Sequence, residues 1–291
     1  MSTIGIVGVG LLGHAIASRL IKAGHTVIGF DVLPDRVSAL TAMGGKPASS
    51  AAAVAQSAEA VCTLLPSLAT AEVAILGADG ILAGARPDLA VIQMSTISPT
   101  LTERLAHEVT ARGLGFLDCP VSGTSSMVER GDGIFFVGGD RALFESWRPM
   151  LESVLPRAVL VGRVGQAMVL KLVANLLVAL NSAAAAEALT LARKAGLDLD
   201  VALDVLNASA AASSMLKVRG PMIVRGEFVA QMKLDLFMKD IHLMQEAASA
   251  VGAPLPFTDL AERLYAAAQA AGHGGEDLAV VVTALDAAGG R

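Results

Sequence analysis

The stretch STIGIVGVGLLGHAIASRLIKAGHTVIGFDV, residues 2–32, constrains the fold of the chain more than any other. A short β-rich run at residues 3–7 leads into a glycine-rich turn, and apolar residues then recur at helical spacing as far as Gly24. A second β-rich run ends at Asp31. A strand, a glycine-rich turn, a helix and a second strand that ends in an acid predict a βαβ unit that binds a dinucleotide.

Each glycine of the turn has its own physical reason to be glycine. Gly8 permits the tight turn, Gly10 lets a pyrophosphate approach the backbone, and Gly13 lets the helix pack on the strand. Leu11 and Leu12 begin the helix, where free N–H groups and the helix dipole favour an anion. The alternative is a glycine-rich turn that binds no ligand.

Asp31 indicates which dinucleotide is preferred. Its carboxylate can accept hydrogen bonds from the hydroxyls of the adenosine ribose, but it would repel a 2′-phosphate. No arginine follows Asp31 directly, since the next residues are Val32, Leu33 and Pro34. We therefore predict that NAD is favoured over NADP, with an ordinary turn aspartate as the alternative.

Alternating β-rich and helical runs continue to about residue 162. One of the helical runs follows Ser98, a good N-cap, and Pro99, a good first helical residue. The alternation predicts a Rossmann-type, doubly wound α/β sheet, with residues 1–162 as a dinucleotide-binding domain. Ligands of such sheets lie at the carboxyl ends of the strands. The predicted strands beyond the first two are at 60–65, 89–94, 115–118, 134–139 and 158–162.

Beyond residue 162 the β-rich runs stop, and residues 163–291 are predicted to form an all-α domain for substrate binding and oligomerisation. A long interdomain helix is expected within 163–195. It is nearly as apolar as a membrane span, but a lysine such as Lys171 near the middle of a span costs about 2.5–3.5 kcal/mol. We therefore predict no membrane role. Further helices are expected at about 200–207, 213–225, 232–251 and 256–271.

Polar residues of the long helix share one face. Lys171, Asn175 and Ser182 fall within about 40° of one another on a helix of about 100° per residue. NAD-linked oxidation of an alcohol moves a hydride to the nicotinamide and a proton to a base, and lysine is suitable if burial lowers its pKa. Asn175 can hold the substrate by a hydrogen bond. The alternative is a lysine whose ammonium reaches solvent near a helix start.

Composition agrees with a two-domain globular enzyme of 291 residues. Charged residues make up only 17% of the chain, which suggests that much apolar surface is buried between domains or subunits. The formal net charge of −5 and the lack of a basic run argue against binding of nucleic acid. The cysteines Cys62 and Cys119 and the scattered histidines indicate neither a metal site nor a disulfide framework, so a reduced cytoplasmic setting is expected.

Taken together, motifs along nearly the whole chain resemble those of the β-hydroxyacid dehydrogenase family, the group of 3-hydroxyisobutyrate dehydrogenase and its relatives. Each motif is weak alone, but their common order along the chain is specific. The motifs are GIVGVGLLGHAIA, LLPS, STISP, DCPVSG, GQAMVLKLVAN and FMKDIHL.

The resemblance implies a role for individual residues. Lys171 would be the catalytic acid and base, and Asn175 would orient the reacting alcohol. Ser122 and Gly123 would bind the substrate carboxylate, largely through backbone N–H groups. Thr124 would line the same pocket, and it stands where the family usually has a second glycine, which narrows or alters that pocket. Contacts with the dinucleotide are implied for Leu65, Pro66, Thr96 and Lys239.

The expected function is NAD-dependent oxidation of the alcohol of a small 3-hydroxy acid to a semialdehyde or keto acid, in a homodimer or homotetramer. Two residues depart from the family's pattern. Gln93 stands where the family often has an acid, and His14 stands where the residue is usually small or apolar. His242 is expected to be structural. The alternatives are a reductase of a small semialdehyde such as tartronate semialdehyde, an imine reductase, and an NAD-sensing protein without catalysis.

Overall fold

The computed structural model describes residues 1–289, which form two compact units, Met1–Lys171 and the chain from Leu172 onward. The first unit alternates strands and helices, as the sequence predicts. Its elements are β1 (Thr3–Val7), α1 (Leu11–Lys22), β2 (Thr26–Phe30), α2 (Pro34–Ala42), β3 (Lys46–Pro47), α3 (Ala51–Ser57), β4 (Ala60–Thr63), α4 (Leu68–Leu76), α5 (Ile81–Gly84), β5 (Ala90–Gln93), α6 (Pro99–Thr110), β6 (Gly115–Asp118), β7 (Val121–Ser122), α7 (Ser125–Arg130), β8 (Ile134–Gly139), α8 (Arg141–Val154) and β9 (Ala158–Gly162).

These strands form one sheet in the order β3-β2-β1-β4-β5-β6-β8-β7, and β9 pairs with β8. The strands from β3 to β6 are parallel, whereas β6 and β7 both pair antiparallel with β8. The chain builds outward from β1 on one side and from β4 on the other. The carboxyl ends of β1 and β4 therefore form the point at which the strand order reverses, where such sheets bind ligands.

Apolar side chains cover both faces of the sheet. Along β4, Cys62 belongs to one buried cluster and Val61 to the other. Ile92 and Val91 divide between the same clusters along β5. Successive side chains of a strand point to opposite faces, so a strand covered by helices on both sides reads as a continuous apolar run. The predicted Rossmann-type class is confirmed, and Ser98 caps α6 as predicted by accepting a hydrogen bond from the Leu101 N–H.

The second unit is helical, as predicted. Helix α9 begins in the first unit and supplies the second unit's first helix. A π-helical turn at Gln269–His273 and a 3-10 turn at Leu278–Val281 were not predicted from the sequence. The helices are α9 (Gln166–Lys194), α10 (Leu199–Ala208), α11 (Ser214–Arg225), α12 (Leu234–Ala250), α13 (Pro256–Ala268) and α14 (Val282–Ala288).

Helix α9 is long and apolar enough to cross a membrane by length and composition, but 44% of its most apolar window is buried within the protein itself. The core helix of a soluble protein can be equally long and apolar. Lys171, Asn175 and Ser182 are all buried along this helix. The burial of these polar groups is consistent with a soluble protein.

Candidate active site

The turn between β1 and α1 contains two glycines that the packing of the chain itself requires. Gly8 has a φ of +96°, and a Cβ there would lie 2.3 Å from the carbonyl oxygen of Leu64. A Cβ on Gly13 would lie 2.1 Å from the carbonyl oxygen of Gly8. Gly10 differs, because the nearest atom to a Cβ there is the Arg36 Nη1, 3.6 Å away. Glycine at position 10 therefore leaves a space that the described protein atoms do not fill.

That space adjoins the N-terminus of α1. Gly10 is the N-cap and no side chain caps the helix, while Leu11 in the first turn is 71% exposed. The N–H groups of a first helical turn lack acceptors within the helix, and the dipole makes this end positive. Leu11 and Leu12 therefore present backbone donors where a pyrophosphate would approach. The turn fits the pyrophosphate of NAD.

Asp31 lies beside the same turn. Its side chain is only 4% exposed, and its Oδ2 accepts a hydrogen bond of 2.8 Å from the Val9 N–H. The other oxygen accepts one of 3.0 Å from the Leu33 N–H. The backbone thus holds the carboxylate at the end of β2. This is the residue that the sequence analysis predicted to accept hydrogen bonds from the ribose hydroxyls.

Arg36 is a neighbour of Asp31 that sequence reasoning missed. Its Nη1 lies 3.3 Å from the Asp31 Oδ2, and its side chain is 47% exposed. Helix α2 starts at Pro34, so its first turn brings the arginine back toward the end of β2. The sequence shows no arginine directly after Asp31, but it does show one five residues on at the start of a helix.

The carboxyl ends of β4 and β5 are joined by a small network of side chains. The Ser95 hydroxyl accepts a hydrogen bond of 2.8 Å from the Leu65 N–H and donates one to the Thr63 carbonyl oxygen. Gln93 accepts from the Ser95 N–H and donates to the Ser95 carbonyl oxygen. An amide can do both, because it carries a donor and an acceptor. The network thus gives a physical reason for glutamine at position 93, and it fixes the backbone that leads to Pro66 and Thr96.

The loop after β6 carries the residues expected to hold a carboxylate. Ser122 lies in β7, and Gly123 has a φ of +154°, which favours glycine. The Thr124 hydroxyl caps α7 by accepting from the Met127 N–H, and it is 3.0 Å from the Ser126 hydroxyl. Thr124 therefore has a structural role besides any contact with a substrate, and it sets where α7 begins.

Asp118, the last residue of β6, is a buried acid to which the sequence analysis gave no role. Its Oδ2 accepts hydrogen bonds of 3.0 Å from the N–H groups of Gly165 and Met168. These groups flank the start of α9, so a strand end caps a helix that begins more than forty residues later. The second oxygen, Oδ1, is buried without a hydrogen-bond partner among the described residues. Burial raises the pKa of this carboxyl to about 7, although the same backbone N–H groups lower it.

Lys171 follows Met168 by three residues along α9. It is 9% exposed, so the capped end of the helix carries it into a largely buried position. Asn175, one turn further on, is 5% exposed, and its Nδ2 donates a hydrogen bond of 2.8 Å to the Asp240 Oδ2. Lys239 lies in the second unit, where its Nζ is 2.7 Å from the other oxygen of Asp240.

Two other polar groups of the helical part are engaged elsewhere. The Ser182 hydroxyl, which is buried, donates to the carbonyl oxygen of Val178 one turn earlier in α9. His242 pairs with Glu262 at 3.3 Å, and its side chain is 62% exposed. Among the described residues, no group of three or more His, Cys, Asp and Glu side chains could hold a metal ion.

Comparison with known proteins covers both units. A family model described as the NAD-binding domain of 6-phosphogluconate dehydrogenase matches residues 3–165. A second, described as the NAD-binding part of NADP-dependent 3-hydroxyisobutyrate dehydrogenase, matches residues 165–285. Together the two models span nearly the whole chain.

Curated relatives and solved structures agree with the family models. The chain is 31% identical to 2-(hydroxymethyl)glutarate dehydrogenase of Eubacterium barkeri, over 96% of this chain and 93% of the relative. It is 32% identical to an NAD-dependent L-serine dehydrogenase of Pseudomonas aeruginosa, over the whole of both chains. A crystal structure of 3-hydroxyisobutyrate dehydrogenase from Salmonella typhimurium matches with a TM-score of 0.90 and 32% identity, over 97% of this chain and 99% of that one. The chain therefore belongs to the β-hydroxyacid dehydrogenase family and is an NAD-dependent dehydrogenase of hydroxy acids.

Proposed function

We propose that the protein oxidises, reversibly, the alcohol of a small 3-hydroxy acid to the semialdehyde or keto acid, with Lys171 as the acid and base. The observation that carries the proposal is the buried lysine of α9, on a helix whose first turn is capped by Asp118. The names of the two curated relatives support the substrate class. L-Serine and 2-(hydroxymethyl)glutarate both carry a primary alcohol next to the carbon that bears a carboxylate.

The proposed chemistry divides between the cofactor and the chain. Bound NAD supplies a nicotinamide ring that takes the hydride from the carbon bearing the alcohol. Neutral Lys171 accepts the hydroxyl proton at Nζ in the same reaction, and its ammonium returns a proton in the reverse direction. Asn175 holds the hydroxyl oxygen, since the hydrogen bond to Asp240 fixes the orientation of its amide and leaves a second N–H for the substrate.

The other site residues have binding roles in this proposal. The backbone at Ser122 and Gly123 holds the substrate carboxylate, and Thr124 limits the size of the group beside it. The turn after β1 holds the pyrophosphate, and Asp31 holds the ribose. Residues proposed to contact NAD are Gly8, Gly10, Leu11, Leu12, Gly13, Asp31, Leu65, Pro66, Thr96 and Lys239.

The test is NADH formation with a panel of acids that includes 3-hydroxyisobutyrate, L-serine, L-threonate and 2-(hydroxymethyl)glutarate. Lys171→Ala should lower kcat with the active acid by at least about 10²-fold, because general acid–base groups contribute about 10²–10⁴-fold. Lys171→Arg should be nearly as damaging, since a guanidinium does not release its proton at working pH. Lys22→Ala, which removes an exposed lysine of α1, is the matched control. A folded, NAD-binding Lys171→Ala that keeps more than about a tenth of the turnover would contradict the proposed role.

The same assay, extended to the corresponding semialdehydes and to cyclic imines with NADH, separates the alternatives. A semialdehyde reductase would consume NADH with the aldehydes much faster than it forms NADH from the acids. An imine reductase would reduce cyclic imines and leave the hydroxy acids unchanged. A protein that only senses NAD would bind the dinucleotide and turn over none of these compounds.

We further propose that the protein works in the cytoplasm as a homodimer or homotetramer, and that residues 1–162 and 163–291 are its functional division. The second unit exposes large apolar side chains one turn apart on α9, at Val173 and Leu177, and another on α10, at Val205, each at least 50% exposed. Exposed apolar patches of this kind mark interaction surfaces, and a second copy is the proposed occupant. Light scattering on a sizing column should show a smaller mass for Leu177→Glu but not for the control Val73→Glu on α4. A monomeric wild type would refute the proposal.

A further inference from the structure

Arg19, in the last turn of α1, lies where two other helices of the first unit end. Its Nε donates a hydrogen bond of 3.1 Å to the carbonyl oxygen of Val154, the last residue of α8. Atoms of the same guanidinium lie 3.1 to 3.5 Å from where a Cβ on Gly131, the C-cap of α7, would be. The carboxyl end of a helix carries unpaired carbonyl groups and a partial negative charge. The guanidinium thus lies against two such ends at once.

Helix α7 connects this contact with the loop proposed to hold the substrate carboxylate. Thr124 caps one end of the helix directly after Gly123, and Gly131, with a φ of +80°, forms the other end. The helix has six residues, so at about 1.5 Å per residue its ends are only about 9 Å apart. Of these six residues only Val128 is buried, in the same apolar cluster as Leu20 of α1. One buried side chain holds such a short helix in place but does not fix its direction, so the contact with Arg19 is needed at the far end.

We infer that Arg19 is a positioning residue, which holds the far end of α7 and thereby sets the loop of Ser122 and Gly123 relative to α1. The inference rests on the proposed function, which places the substrate carboxylate at that loop and the pyrophosphate at the first turn of α1. One helix then holds the dinucleotide at its amino end and locates the substrate loop through its last turn. This arrangement fixes the separation of the two reactants, as hydride transfer requires.

Trypsin cleavage of the folded protein tests the contact without turnover of any hydroxy acid. Trypsin cleaves after arginine, and the exposed Arg130 is the last residue of α7. Arg225 ends α11 in the same way, since a glycine of positive φ follows each of the two, and it serves as a control within the same chain. Arg19→Ala should speed cleavage after Arg130 by about tenfold, because a lost charged hydrogen bond lets α7 open more often. Cleavage after Arg225 should not change. Arg19→Lys should restore part of the protection, since an ammonium keeps the charge but not the planar set of donors.

Kinetics with one active acid gives the second readout. Arg19→Ala should raise the KM of the acid by about tenfold and lower kcat by less than about threefold, because the loop binds the carboxylate alike in the ground and transition states. The Kd of NAD, measured by calorimetry, should change by less than about twofold, since the pyrophosphate turn is at the other end of α1. Arg104→Ala, which removes an arginine paired with Glu72 on another helix, is the control and should change none of these values.

Several results would overturn the inference. A lower kcat with an unchanged KM would mean that Arg19→Ala only reduces the amount of folded enzyme. Equal acceleration of cleavage after Arg130 and Arg225, or acceleration at neither, would show that the arginine does not hold α7. Selective cleavage with an unchanged KM would show that α7 does not set the substrate loop. Selective cleavage in a protein that turns over no hydroxy acid would support the contact with α7 and count only against the proposed function.

Discussion

Asp118→Asn is expected to flatten the dependence of the first unit's stability on pH. The folded chain raises the pKa of the Asp118 carboxyl from 3.8 to about 7, chiefly because burial disfavours the ion. The N–H groups of Met168, Gly165 and Ala167 lower this pKa, and the charge of Glu103 raises it slightly. Asparagine cannot ionise, but it keeps the shape of the side chain and an oxygen for the N–H groups of α9.

The sign follows from the raised pKa. Below about pH 4 the carboxyl is protonated in both the folded and the unfolded chain, and its contribution to stability is fully present. As the pH rises toward 7, the unfolded chain releases the proton first, so the free energy of unfolding falls. The shift from 3.8 to about 7, at about 1.4 kcal/mol per unit, corresponds to about 4 kcal/mol in total.

Urea unfolding followed by tryptophan fluorescence measures this effect in the first unit, which contains Asp118. The chain has a single tryptophan, Trp147, which lies in α8 of the first unit. Between about pH 5 and about pH 8, wild type should lose about 2–3 kcal/mol of unfolding free energy relative to Asp118→Asn. Other titrating groups are common to both proteins and cancel in the difference. Asp79→Asn, which changes an exposed acid in the same unit, should leave the wild-type slope unchanged.

The opposite slope would refute the reasoning. If the stability of wild type relative to Asp118→Asn rose with pH, the N–H groups at the start of α9 would stabilise the ion more than burial destabilises it. A difference independent of pH would mean that the carboxyl titrates alike in both states. In either case, the buried oxygen without a partner would have another means of compensation.

The remaining predictions concern binding at individual side chains. Asp31→Ala should lower kcat/KM for NAD by about tenfold and for NADP by less, since it removes a charged hydrogen bond to the ribose. Thr124→Gly should change the ranking of acids in the substrate panel without abolishing turnover, and thermal unfolding should show a cost of only a few tenths of a kcal/mol. Asp240→Asn should raise the KM of the active acid by about tenfold, because the amide of Asn175 loses a charged acceptor. The kcat of this variant should stay within about twofold of the wild-type value.

The sequence predicted the fold well where a pattern repeats along an element. Buried strands read as apolar runs, and the all-α second unit read as helical periodicity. Strands β3 and β7 were missed because each has two residues, too few for any period to show. The π-helical and 3-10 turns near the end of the chain were missed for a related reason. Each lasts only one turn, so the apolar pattern cannot separate it from an ordinary helix end.

The candidate site was predictable where neighbours in sequence act together and not where distant ones do. The glycine turn and Asp31 follow from local spacing. The cap that Asp118 gives to α9 joins residues 47 and 50 positions apart, and no local pattern reports such a contact. Arg36 lies between these cases. It is only five residues from Asp31 in the sequence, but whether the two side chains meet depends on where α2 starts.

The position of Asp118 explains how one strand end can serve two parts of the proposed reaction. From the end of β6 the chain runs directly into the loop of Ser122 and Gly123, whose backbone is proposed to hold the carboxylate. The Asp118 side chain meanwhile holds the first turn of α9, and Lys171 lies on the following turn of that helix. The loop proposed to bind the substrate carboxylate and the helix that carries the proposed base are thus both held at the end of one strand. This fixes the distance between the bound substrate and the base, as proton transfer requires. An apolar residue at this position would avoid the cost of burying a carboxyl, but it could not accept the N–H groups that locate the helix. The raised pKa of Asp118 is thus the consequence of burying the carboxyl that locates the helix of the proposed base, and the hydrogen bonds that locate the helix offset only part of this rise.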